Sequence, residues 1–170
     1  MTTDWAEIYA ATYQDLVRFL HRKVWDAGRA EDLAQEAFVR ALGLSPAQTP
    51  DRPRAWLFTV AGNLAKDEAR SAIRRRRHLT LIGNEQSGEA PNPQRDLEET
   101  EKMEEVRQAL GALSERDREI LLLWDAGLSY AEIAEQSGLS QGAIGTTLAR
   151  ARRRLVDAYE ATEARNVAHP

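Results

Sequence analysis

From Leu113 to Tyr159 the chain reads LSERDREILLLWDAGLSYAEIAEQSGLSQGAIGTTLARARRRLVDAY, and few folds are open to such a stretch. Apolar residues recur at helical spacing in three pieces, separated by the glycine-containing turns Ala126-Gly127-Leu128 and Ser137-Gly138-Leu139. Ser114 precedes Asp117, and Ser129 precedes Glu132, at the spacing of helix N-caps. In the second pair the hydroxyl can accept from the backbone while the carboxylate reaches back, which is a capping box. Ala134, Gly138 and Ile144 supply a small helix-crossing residue, a left-handed turn residue and a buried branched residue. This ordered set predicts a helix-turn-helix and favours DNA binding over a purely structural helical hairpin.

The third helix also shows which way it faces. Ile144, Leu148, Ala151 and Leu155 follow i, i+4, i+7, i+11 and form one inward stripe. At about 100° per residue the opposite side carries Gly142, Thr146, Ala149, Arg150 and Arg153. Its slim N-terminal half can enter a major groove about 12 Å wide, while the guanidinium groups beyond it reach phosphates. Taken alone, ARARRRL fits a solvated basic helix end that complements the helix dipole. It is the turn chemistry before it that points to DNA.

Composition narrows the remaining classes. With 170 residues, 42% of them apolar, the chain can build two small helical cores. It has no cysteine, which excludes disulfides, thiolate metal sites and thiol catalysis. His21, His78 and His169 are isolated in sequence, so no metal site and no cofactor are expected. No apolar run reaches signal-peptide or membrane-span length, so the expectation is a cytoplasmic protein without membrane insertion. A net charge of -4 argues against tight DNA binding by the free chain, because phosphate neutralisation normally supplies most of the attraction. Charge is nonetheless segregated: arginines gather at 74–77 and 150–154, acids at 31–36 and 96–105.

In chain order, residues 4–25 carry Trp5, Ile8, Tyr9, Tyr13, Leu16, Phe19, Leu20 and Val24 at helical spacing, with the aromatics expected in the core. RAEDLAQEAFVRAL follows, with Leu33, Ala34, Ala37, Phe38 and Ala41 inward and Asp32, Gln35 and Glu36 outward. That acidic face is either merely solvated or a docking surface for a basic partner. No nucleophile, metal cluster or phosphate loop accompanies it, so no catalytic residue is expected. GLSPAQTPDRP is a loop ending in Asp51, the expected N-cap, and Pro53 in the first helical turn. The helix beyond it is expected to bury Trp56, Leu57, Val60, Ala61 and Leu64. Thr59, Asn63, Lys66, Arg70 and Arg74 form a second stripe, which suits a nucleic-acid backbone and a plain helix exterior equally. Residues 79–95, with Gly83, Gly88, Pro91 and Pro93, read as a linker that reaches roughly 55 Å when extended, more than one DNA turn of ~35 Å. An acidic helix offering Leu97, Val106, Leu110 and Leu113 for packing then leads into the helix-turn-helix.

Three ordered motifs, DLAQEAFVRAL, PRAWLFTVAGNLAKDEARSAIRRRR and the helix-turn-helix stretch, together resemble the small two-domain bacterial sigma factors of the extracytoplasmic-function group, in the sigma-70 family. The resemblance implies an all-α fold of two small helical domains joined by a flexible linker. Residues 1–78 would form sigma region 2, 79–95 the linker, 96–160 sigma region 4 and 161–170 a frayed tail. It further implies a transcription initiation factor that binds core RNA polymerase, recognises the -10 and -35 promoter elements and promotes DNA opening, without being an enzyme. Asp32, Gln35 and Glu36 would dock on the coiled-coil clamp of the largest polymerase subunit. Asn63, Lys66, Arg70 and Arg74 would approach the -10 element, and the loop 43–52 would capture a base pulled from the stack. Ser140, Gln141, Gly142, Thr146, Thr147, Arg150 and Arg153 would serve the -35 element. An anti-sigma factor is a further partner that the family often has.

The chain departs from the family pattern at Gly145 and Thr147, where members often carry a basic or larger polar residue. Gly142 and Gly145 each lower helix stability by roughly 1 kcal/mol relative to Ala, so weak or unusual -35 readout is expected. The alternatives are a freestanding helix-turn-helix regulator and, more remotely, a helical enzyme.

Overall fold

A computed structural model describes residues 2–82 and 97–168, with side chains described throughout except at 79–82 and 97–99. The described elements are helices, grouped in two compact units: α1 (Trp5–Val24), α2 (Ala27–Leu42) and α3 (Pro53–Ile82), then α4 (Leu97–Gly111), α5 (Glu115–Asp125), α6 (Tyr130–Ser137) and α7 (Gln141–Ala168). Residues 83–95 of the expected linker lie outside the described residues, whereas 79–82 belong to α3.

Local chemistry sets the helix ends in the first unit. Asp4 caps α1 by accepting from the backbone N–H groups of Ala6 and Glu7, at 3.0 and 3.2 Å. α1 stops at Trp25, whose φ of 54° is left-handed and whose N–H donates to the His21 carbonyl. That conformation costs a non-glycine residue about 1–2 kcal/mol. The Trp25 ring is 5.9 Å from the His21 ring and 5.7 Å from the Arg22 guanidinium, centre to centre. Asp26 then caps α2 through the Arg29 N–H, so the chain reverses between two adjacent residues. Before α3, the first helical hydrogen bond goes to the Arg52 carbonyl and Pro53 opens the helix. The N-cap is therefore Arg52 rather than the expected Asp51, because proline at N1 fixes the start one residue before itself.

α1, α2 and α3 each pack against the other two. Alanines at 30, 34, 37 and 41 line the inner side of α2, all fully buried, and let neighbouring backbones approach. Leu33 and Phe38 complete that face, as expected. On α3 the buried residues are Ala55, Leu57, Phe58, Ala61, Gly62, Leu64 and Ala65, while Trp56 and Val60 are only half-buried. The inward arc is thus turned by about one residue step, roughly 100°, from the expected stripe, because α3 must face α1 and α2 at once. Phe58 meets Phe19 edge-on at 5.2 Å. The aromatics of α1 also divide: Phe19 is core, but Tyr9 is exposed, stacked on Tyr13 and edge-on to Phe38.

In the second unit the Ser114 hydroxyl accepts from the Asp117 N–H at 3.1 Å, and Ser129 forms the expected reciprocal box with Glu132. Gly127 and Gly138 have φ of 88° and 73°, the left-handed values that the two turns require. Ile120, Leu123, Ile133, Ile144, Leu148 and Ala151 form the buried centre, with Leu110 and Leu113 added from the end of α4 and the turn after it.

Of the tail expected to fray at 161–170, residues 161–168 continue α7 to Ala168, and 169–170 lie outside the described residues. The inward stripe of α7 continues past Leu155 to Thr162, which is buried and donates its hydroxyl to the Ala158 carbonyl. α4 packs along it, with Glu105 accepting from the Tyr159 hydroxyl and from the Asn166 amide. Partial desolvation and then the Glu105 carboxylate raise the Tyr159 pKa above the usual phenol value. A raised acid pKa favours the fold below the unfolded value, and that contribution is lost as pH rises through the folded value.

Asp117 is buried in this unit and takes a 2.6 Å ion pair from Arg154, which is itself half in solvent. Removing the arginine leaves a buried carboxylate with only the helix N-terminus to stabilise it. Arg154→Ala is expected to cost about 1–2 kcal/mol, read as a lowered thermal midpoint of the second unit. An unchanged midpoint would show that Asp117 is satisfied without it.

Candidate nucleic-acid interface

Thr59, Asn63, Lys66, Arg70 and Arg74 are all exposed on α3. Since the core arc of α3 is turned, this stripe lies opposite the packed side rather than beside it. An amide and three cations thus project from one ridge into solvent. On α2, Asp32, Gln35 and Glu36 are exposed on the side away from the core. Asp32 pairs with Arg29 at 3.2 Å and Glu36 with Arg40 at 2.9 Å, both at the surface. Val39 and Leu42 continue the same face and are strongly exposed, an apolar extension that hydropathy alone does not single out.

In the loop between α2 and α3, Pro46–Gln48 form one turn of 3-10 helix. The Gln48 amide oxygen accepts from both the backbone N–H and the hydroxyl of Ser45, at 3.1 and 3.0 Å. The loop is therefore held in shape by its own polar groups; Ser45 to Gln48 are exposed, between the half-buried Leu44 and Thr49.

Ser140, just before α7, and Gln141, Gly142, Thr146, Ala149, Arg150 and Arg153 on it are exposed, as the inferred outer face requires. Thr147 is not among them: it is buried. The correction has a simple cause, for Thr147 stands at i+3 from Ile144 and i−4 from Ala151, on the packed side of the helix. The arginine run divides its labour as well. Arg152 lies over the Trp124 ring at 3.8 Å and Arg154 holds Asp117, while Arg150 and Arg153 make no ion pair among the described residues. Beside Gly145, where a side chain would begin, the Tyr130 ring stands at 3.5 Å, at the first position of α6.

The family model for sigma-70 region 2 matches residues 8–77 and that for sigma-70 region 4 matches residues 103–155. The chain belongs to the extracytoplasmic-function group of sigma-70 factors. Among relatives, this sigma factor is 34% identical over 155 residues to the RNA polymerase sigma factor YlaC of Bacillus subtilis, covering 86% of each chain. It is 35% identical over 144 residues to the ECF sigma factor SigC of Mycobacterium tuberculosis, covering 84% of this chain and 76% of that one. In fold it is similar to the sigma factor RpoE of Bartonella quintana, solved with the anti-sigma factor NepR. The TM-score is 0.67 at 24% identity, over 92% of this chain and 97% of that one. The sigma factor recognises promoters for RNA polymerase, and its fold is all-α with two domains. None of the helices of the described residues is long and apolar enough to cross a membrane.

Proposed function

We propose that this sigma factor docks on core polymerase through Asp32, Gln35 and Glu36 and meets the -10 element with Asn63, Lys66, Arg70 and Arg74. The single observation that carries this reading is the separation of an exposed acidic face on α2 from an exposed basic ridge on α3. Opposite charges on one unit suit a basic protein partner on one side and phosphates on the other. The loop 43–52, shaped by the Ser45–Gln48 bonds, takes up an unstacked base. Unstacking costs a few kcal/mol, so a pocket already shaped on a polymerase-anchored domain can favour strand separation without ATP. The chain itself forms no phosphodiester bond in this reading; polymerase does, in the cytoplasm. An anti-sigma factor is the third partner, as it is for the solved sigma factors of similar fold.

The experiment is comigration of the purified chain with core polymerase, together with titration of the free chain against promoter duplex. The complex with core is expected, with weak binding by the free chain given its net charge of -4. Nanomolar duplex binding by the free chain, with no complex with core, would favour the freestanding regulator.

At the -35 element, Gly142, Thr146 and Ala149 offer little hydrogen-bonding capacity, so discrimination falls to Thr146, Gln141 and groove shape. Arg150 and Arg153 hold phosphates. Arg153→Ala is expected to weaken binding of all sequences about equally and to shallow the salt dependence. Gln141→Ala or Thr146→Ala is expected to change preference among -35 variants by roughly 1 kcal/mol at one position. Holoenzyme binding to single-base variants at two salt concentrations checks both. A change of preferred sequence in Arg153→Ala alone would reverse the assignment.

A further inference from the structure

Arg29, in the first turn of α2, links the acidic face of α2 to the packed side of α3. Its Nε donates to Glu68 Oε1 at 2.9 Å and its Nη2 to Glu68 Oε2, a two-pronged contact to α3, while Nη1 reaches Asp32 Oδ2 at 3.2 Å. Glu68 is mostly shielded from solvent and continues the packed side of α3 beyond Leu64 and Ala65. From Ile73 to His78 every side chain of α3 is exposed. The Arg29–Glu68 contact therefore grips α3 in the last turn of its packed stretch, which the half-buried Ser71 and Ala72 close, and Arg74 lies about 9 Å beyond Glu68 at ~1.5 Å per residue. Surface ion pairs usually contribute little, but a bidentate guanidinium–carboxylate contact fixes direction as well as distance. Hydrogen bonding to Glu68, followed by the charges of Glu68 and Asp32, raises the Arg29 pKa above its ordinary value.

We infer that Arg29 is a positioning residue that couples polymerase docking to the aim of the DNA-reading end of α3. Asp32 and Glu68 share one guanidinium. When a cation of core polymerase takes up Asp32, Arg29 is left wholly to Glu68, and the root of the exposed α3 segment is held more firmly. Promoter opening then becomes most effective in the holoenzyme, where Arg70 and Arg74 are needed. This inference rests on the docking and -10 roles proposed above.

The test uses reconstituted holoenzyme and a promoter duplex selected from a random-sequence library by the wild-type holoenzyme. Core affinity and the rate of strand opening at saturating duplex are measured for Arg29→Gln, Glu68→Gln and the exchange Arg29→Glu with Glu68→Arg. Each single variant is expected to slow opening on the order of tenfold with core affinity changed by less than about threefold, and the exchange to recover most of the rate. A merely structural role would lower thermal stability, core affinity and opening together, and that result would overturn the inference. So would normal opening in Arg29→Gln, or a folded exchange variant that recovers nothing. Asp32→Arg and Arg70→Ala run in parallel: if they act while Arg29→Gln does not, the coupling alone fails. If neither acts, the reading beneath it fails too.

Discussion

Reversing both docking charges, Asp32→Arg with Glu36→Arg, is expected to weaken the complex with core polymerase by about 3 kcal/mol or more, a hundredfold or greater rise in Kd. The magnitude separates docking from folding. Both carboxylates are exposed, and their partners Arg29 and Arg40 are surface neighbours on the same helix, pairs worth about 0.2–0.5 kcal/mol each. The fold should therefore survive, with helix content and thermal midpoint close to wild type. Titration of labelled protein with core polymerase checks the affinity and circular dichroism checks the fold. Unchanged affinity in the doubly reversed, folded protein would remove the acidic face from the interface.

The second large effect lies in the core. Phe58 is 1% exposed and sits edge-on to Phe19, at the meeting of α1 and α3. Phe58→Ala is expected to destabilise the first unit by about 3–5 kcal/mol, through lost burial and the cavity left behind. Denaturant unfolding of the full chain should show it as an early loss of structure in that unit. Tyr9→Ala makes the comparison: its ring is 43% exposed, and the expected cost is lower. A cost for Phe58→Ala below that of Tyr9→Ala would place the core elsewhere.

Phe58 also marks where the sequence is silent. The faces of α2 and α7 are legible because each packs one stripe inward, so alanine and leucine at i, i+3, i+4 and i+7 name it directly. α3 packs against two helices, and residues 55–65 hold apolar side chains nearly all round. Periodicity then leaves the centre of the arc open by a residue, and spacing alone does not separate Trp56 and Val60 from the buried Phe58 and Ala65. Turn and cap chemistry was more decisive, as Ser129, Glu132, Gly127 and Gly138 show.

The candidate site divides in the same manner. Exposure of the α3 ridge and of the outer α7 face followed from spacing, but Thr147 did not, since a short polar residue fits either side of a helix. Pairings between distant positions, Arg154 with Asp117 and Arg29 with Glu68, leave no local signal and need the folded chain. The tail past residue 160 carries only small apolar side chains, three alanines and Val167, which mark no packed stripe. Polar contacts from Tyr159 and Asn166 to Glu105 secure it instead.

Promoter-dependent transcription by purified core polymerase with and without this chain is the most direct test of its role as a sigma factor. On a promoter selected from a random-sequence library by the holoenzyme, the chain should convert core from non-specific to specific initiation, with strand opening that requires no ATP hydrolysis. If core initiates no differently with the chain present, while the chain alone binds a specific duplex at nanomolar concentration, the protein acts without polymerase and the role proposed for it is contradicted.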